Sequence, residues 1–203
     1  MSVENVSYYE NFLEIEKKLW SLLCEAVSNR NSEFRTPVFI CGNYNNLDGR
    51  VVVLRKADEK NNYIQFHSDI RSSKIEMIKK NPNSSLLFYG KKEKIQLRMK
   101  VKCEINYNNE TTKKSWEETG HISRKCYLVA NGPGTTSEKP TSGLDNKFDN
   151  FDFTKEESEK GYKNFCVIKC NIKSIEWLYL AAKGHRRALI DLEGSKKFTW
   201  LVP

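Results

Sequence analysis

A chain of 203 residues with 38% hydrophobic and 11% aromatic side chains has the apolar volume for one core, and too many rings for a disordered segment. Its 34 Lys and Arg against 26 Asp and Glu leave a formal charge of +8, which suits anionic partners; yet lysines beside asparagines (Lys60-Asn61-Asn62, Lys80-Asn81) read as solvated surface, not a nucleic-acid stripe. The N-terminus is no signal peptide, no apolar stretch is long enough to span a bilayer, and six cysteines without a CxxC pair read as buried reduced thiols, so the expectation is a single cytoplasmic domain over residues 1–203 with no metal, membrane or nucleic-acid partner.

In chain order, Tyr8 to Val27 carries Phe12, Ile15, Leu19, Leu22, Leu23 and Ala26 at helical steps, an N-terminal helix within residues 1–30. The period then becomes two. Arg35 to Cys41 reads as a strand, Gly42 to Gly49 as a turn, Arg50 to Arg55 as a second strand, Asp58 to Asn62 as a turn and Tyr63 to His67 as a third strand. Ser72 to Lys80 is a short helix with a capping box from Ser73 and Glu76, stopped by Pro82. Strands follow at Ser84 to Tyr89 and Ile95 to Ile105, then a helix from Thr111 to Arg124 with Trp116 on its apolar side. Residues 131–161 are poor in aliphatics, a long loop or lid. Phe165 to Ile172, Ser174 to Leu180, Ala188 to Leu192 and Phe198 to Val202 return to strands, so the pattern is mainly β with flanking helices and suggests a barrel.

Four stretches carry chemistry. In Arg50-Val51-Val52-Val53-Leu54-Arg55 an apolar strand is bracketed by two arginines, the side chain best suited to bidentate phosphate binding. Five positions apart, the two point to opposite faces and can serve different groups. His67-Ser68 ends a strand, and Arg71, Ser72, Ser73 and Lys74 open the next helix, whose free N–H groups attract anions. Gln96 offers a donor and an acceptor to a heterocycle edge. Trp177 precedes a basic cluster of Lys183, His185, Arg186 and Arg187. Taken singly, each has a bland reading: solvated strand ends, an N-cap, a solvent-facing Gln and a charged turn.

Their order and spacing together resemble the pyridoxamine 5'-phosphate oxidase family, in its branch of FMN-binding proteins distinct from the true vitamin B6 oxidases. The resemblance runs from about Arg35 to Pro203. It implies a six-stranded Greek-key split β-barrel, a homodimer with FMN at the subunit interface, and a flavin-dependent oxidoreductase. Such an enzyme takes a hydride from a small substrate, phosphorylated or not, and is reoxidised by oxygen or another acceptor. It also implies that Arg50 to Arg55, His67, Ser68, Ser73, Lys74, Gln96, Trp177 and Arg187 contact FMN. Arg55, Arg124, Lys183 and His185 then face substrate, the last two as catalytic residues. Four positions depart from the family: Ser73 for Arg, with Arg71 nearby to supply the charge; His67 for Tyr; Lys183 for Arg; and Gly120 where a Tyr precedes Arg124. A genuine pyridoxine 5'-phosphate oxidase and a non-catalytic flavin carrier or sensor are the alternatives.

Overall fold

A computed structural model describes residues 7–150, 152–182 and 184–203. Helix α1 (Phe12–Ser28) starts where the Asn11 side chain accepts hydrogen bonds from the Leu13 and Glu14 N–H groups at 3.0 and 3.2 Å, meeting two of the donors a helix leaves unpaired. Its Ile15, Leu19, Leu22, Leu23 and Ala26 stripe is buried as the spacing predicts, and Trp20 joins it. At the far end the Arg35 guanidinium donates to the carbonyls of Ala26 and Val27, closing the helix with a cation where its dipole is negative.

The strands are β1 (Val38–Asn43), β2 (Asn46–Val51), β3 (Leu54–Asp58) and β4 (Tyr63–Asp69), then, after helix α2 (Ser73–Lys80), β5 (Asn83–Gly90) and β6 (Ile95–Asn106). Short helices α3 (Glu110–Glu117), α4 (His121–Arg124), α5 (Asn146–Asp149) and α6 (Lys155–Ser158) lead to β7 (Phe165–Tyr179), β8 (Arg186–Asp191) and β9 (Lys197–Leu201). All pairings are antiparallel. The path runs β2-β1-β5-β6-β7-β4-β3, with the β8–β9 hairpin attached to β7. This corrects the expected six strands: the described residues form an open sheet of nine, with no ladder joining the end strands β2 and β3.

The length of β7 explains the split. One of its edges pairs with β6 almost throughout; the other serves β4 along Phe165–Asn171 and then β8 along Ser174–Tyr179. The stretch read as two strands, 165–172 and 174–180, is therefore one. Conversely, the single strand read at Arg50 to Arg55 is two. Val52 N–H turns to the Pro37 carbonyl at 3.0 Å, the chain leaves β1, and β3 joins β4 with a bulge between Leu54 and Lys56. The sheet curls so that Phe39 of β1 and Phe66 of β4 meet at 4.9 Å between ring centroids. Inside the curl lie Leu54, Leu86, Phe88, Leu97, Met99, Ile175 and Trp177, each large apolar side chain contributing about 2–3 kcal/mol by leaving water.

A second, smaller cluster of Trp116, Tyr127, Phe165 and Val167 lies on the other side of β7. The helix expected at 111–124 breaks there, with Gly120 as the N-cap of α4. In α2 the N-cap is Ser72, without a side-chain cap bond; Glu76 pairs with Lys79 instead of returning to Ser73, so the capping box does not form. The 131–161 stretch holds α5 and α6, and ties itself together through Lys147–Glu157 and Ser142–Asp149. No described helix is long and apolar enough to cross a membrane.

Candidate functional site

The bend after β4 and the start of α2 bring two cations and three hydroxyls together. Lys74 Nζ donates to Ser72 Oγ at 2.7 Å and Ser68 Oγ at 2.9 Å. Arg50 reaches across from β2, donating to Ser72 Oγ at 3.4 Å and Ser73 Oγ at 3.2 Å. The Ser72 hydroxyl bridges both cations, which is why it does not cap its own helix. In the first turn the Ile75 N–H already donates to the Ser72 carbonyl at 2.9 Å, while the N–H groups of Ser73 and Lys74 have no acceptor within the helix. Burial, then the charge of Arg50, pushes the Lys74 ammonium below its usual range, because two cations share a space with little solvent. Asp48 pairs with one side of Arg50, yet Arg50 Nε is buried with no hydrogen-bond partner among the described residues. An anion would satisfy that N–H and the crowded cations together.

Arg71 does not join this cradle. Its Nε and Nη2 grip Asp69 at 3.0 and 2.7 Å, and its remaining donors hold the carbonyls of Val129 and Ala130. The charge expected to compensate for Ser73 thus fastens the following loop to β4 instead.

His67 lies on the opposite face of β4 from Ser68, and Arg55, on β3 and not on the strand of Arg50, is near enough for its charge to act on His67. Arg55 Nε is also buried without a partner among the described residues. The His67 ring meets Phe165 edge-on at 4.8 Å, and burial, with Arg55 adding repulsion, pulls its pKa down to about 3. The imidazole is therefore neutral at physiological pH. Tyr127, which packs edge-on against the same Phe165 ring, is held above the usual phenol range, chiefly by burial. The result is a guanidinium with no ion-pair partner among the described residues, its charge felt by two neutral rings. Of the intervening residues, Val51 is exposed, Val52 is buried, Val53 is half-buried and Leu54 is in the core.

A third group lies on the sheet face opposite the core. Gln96 and Arg187 both stand against Leu178 in the ladders. Arg187 donates to Glu176 through Nε at 3.0 Å and Nη2 at 2.9 Å, and Arg98 pairs with the same carboxylate. This face carries an open groove of about 1030 Å³ lined by Ile40, Leu47, Leu87, Arg98, Glu176 and Leu189 among others. Trp177, one position along, faces inward: it is fully buried, its Nε1 has no partner among the described residues, and Tyr9 packs against it.

The remaining residues stand apart. Arg124 is buried in the second cluster, donating to the carbonyls of Thr119 and Trp116 and to Glu159, with its guanidinium 4.6 Å from the Trp116 ring centroid. His185 is exposed and accepts from Ala181 N–H. Lys183 lies outside the described residues. The resemblance left Ser72 off the FMN contacts, although the sequence already placed it between Arg71 and Ser73 in the helix opening that attracts anions. It also missed Glu176, whose sign is legible only once β6 and β7 are known to pair. Among the described residues no cluster of His, Cys, Asp or Glu could hold a metal.

Fold and site together define a class: an antiparallel sheet curled around one core, with an anion cradle where a short helix begins. Within that class, residues 21–106 match the family described as pyridoxamine 5'-phosphate oxidase, FMN-binding domain. The resemblance read from the sequence is borne out by that match over residues 21–106 and by a fold shared with solved FMN-binding proteins. Arg50, His67, Ser68, Ser73, Lys74 and Gln96 fall inside the matched segment; Arg124, Trp177, His185 and Arg187 fall outside it. Among solved structures, a pyridoxamine 5'-phosphate oxidase-related, FMN-binding protein from Nostoc punctiforme is 19% identical with a TM-score of 0.71, covering 92% of this chain and 96% of that one. PhzG from Burkholderia lata, solved in complex with tetrahydrophenazine-1-carboxylic acid, is 14% identical with a TM-score of 0.73, covering 100% and 99%. Comparison with curated protein sequences gives no match.

Proposed function

We propose that the protein is an FMN-dependent oxidoreductase acting on a small anionic substrate. The observation that carries this reading is the cradle of Arg50, Ser68, Ser72, Ser73 and Lys74, with its orphaned Arg50 Nε and desolvated Lys74. Its donors fit a terminal phosphate, so these residues would hold the phosphate of FMN. When bound, the flavin supplies the redox chemistry, accepting a hydride and passing electrons to oxygen or another acceptor. The chain's own part is to bind, orient and set the charge.

Gln96 and Arg187 are the groups suited to the flavin ring edge, one with a paired donor and acceptor and the other with a cation. They stand on the opposite sheet face from the cradle, so we assign them to the FMN held by a second copy of the chain. A homodimer follows, with each site built from two chains. Arg55 and the neutral His67 face the substrate, together with His185 and Lys183. The unpartnered Arg55 favours a carboxylate or phosphate on that substrate. Arg124 is engaged inside the second cluster, which favours a substrate other than pyridoxine 5'-phosphate.

The deciding experiment is an absorbance spectrum of the purified protein, followed by titration of the stripped form with FMN and with riboflavin. A flavin spectrum, with FMN bound far more tightly than riboflavin, is the expected result. No flavin and no binding would sink the proposal, and equal affinities would remove the phosphate site from it.

A further inference from the structure

Cys103 of β6 and Cys170 of β7 stand directly opposite each other in the ladder, with their sulfurs 3.7 Å apart. The backbone pattern fixes the kind of pair. Cys103 N–H donates to the Pro82 carbonyl at 2.8 Å, on the β5 side. Ile172 N–H donates to the Asn62 carbonyl at 2.9 Å, on the β4 side, and residues two apart on a strand turn their backbone groups the same way, so Cys170 also bonds toward β4. Neither cysteine bonds to the other's backbone. This is the closely spaced type of antiparallel pair, with Cα atoms about 4.5 Å apart. A disulfide needs a Cα separation of roughly 4.4–6.8 Å, so side-chain rotation alone can close the bond.

We propose that Cys103 and Cys170 are a reversible redox pair, oxidised by a peroxide to a cross-strand disulfide that locks β6 to β7. The two partners have distinct roles. Cys170 is fully buried, whereas Cys103 retains slight exposure. A hydrogen bond from Cys170 favours the thiolate of Cys103, and burial pushes the Cys170 thiol well up. The Cys103 thiolate attacks one peroxide oxygen, the O–O bond breaks, and hydroxide leaves to become water. Cys103 is then a sulfenic acid. The Cys170 sulfur attacks it, the S–O bond breaks, the S–S bond forms, and the second water departs with the Cys170 proton. Two thiols lose two electrons and hydrogen peroxide gains them. Peroxide is also what a flavin releases when oxygen reoxidises it, but the pair works with any source.

The test uses the full chain, reduced and then exposed to hydrogen peroxide, with the remaining thiols alkylated in denaturant and the peptides weighed. A linked peptide containing Cys103 and Cys170, two hydrogens lighter than its parts and released by dithiothreitol, is expected. Oxidation should also raise the unfolding midpoint by about 5 °C or more, a shift absent from Cys103→Ser. In Cys170→Ser, Cys103 should become reactive to a sulfenic-acid trap. If Cys103 and Cys170 remain fully alkylated while the exposed Cys24 and Cys126 are oxidised, the pair is ordinary core packing. The wild-type peptide readout decides this even if a variant fails to fold.

Discussion

In the proposed site, phosphate recognition turns on Lys74 and Arg50. A hydrogen bond to a charged group is worth about 1.5–3 kcal/mol, so losing both cations should weaken FMN by roughly a hundredfold or more. Arg50→Ala with Lys74→Ala is expected to purify colourless while its weak affinity for riboflavin, which has no phosphate, stays the same; a parallel fall in both affinities would place the cations elsewhere. His67 gives a second test. Its folded pKa of about 3 lies below the unfolded value near 6.5. As pH falls from about 6.5 toward 3, the unfolded chain binds a proton that the folded chain refuses. Stability should therefore drop by about 1.4 kcal/mol per pH unit from this residue. In His67→Gln that part of the slope should vanish in denaturant titrations at pH 4 and pH 7. Residue types were legible here because Arg, Ser and Lys announce anion chemistry. Their engagements were not: Arg71 and Arg124 carry the same charge but are paired with Asp69 and Glu159, partners that spacing hints at in one case and hides in the other.

At the level of elements, the hairpin that delivers Arg50 depends on one glycine. Gly42 sits at φ +118°, and a Cβ there would come within 2.0 Å of the Asn46 carbonyl oxygen. The turn between β1 and β2 forms only because that atom is absent. Gly42→Ala should cost about 2 kcal/mol or more and displace β2, so FMN affinity should fall even where circular dichroism still reports a folded sheet. Unchanged FMN affinity would mean that the position of β2 does not set the site. The sequence pattern located α1, α2 and most strands to within a few residues, because alternation and helical periodicity are local properties. The break at Val52 was not visible, since it arises from a hydrogen bond to Pro37 and a change of partner strand. The continuity of β7 was hidden for the same reason: it follows from the register shift between Lys100 and Val101 on its neighbour β6.

For the whole molecule, the decisive relation is that one chain carries the cradle residues and the two groups proposed for the flavin edge, Gln96 and Arg187, on opposite faces of a sheet. Alternation along β6 and β8 shows that Gln96 and Arg187 face away from the core, but only the pairing order sets them together and across the sheet from Lys74. If each FMN uses the cradle of one chain and the outer face of another, damage to the two halves should complement. A chain with Arg50→Ala and Lys74→Ala, and a second with Gln96→Ala and Arg187→Ala, should each bind FMN poorly alone. Unfolded together and refolded as a mixture, half of the dimers are mixed, and each mixed dimer regains one intact site of two. FMN binding should thus recover to about a quarter of the wild-type stoichiometry, with wild-type affinity at those sites. A site contained within one chain predicts no recovery at any mixing ratio, so the stoichiometry of the refolded mixture tells the two arrangements apart.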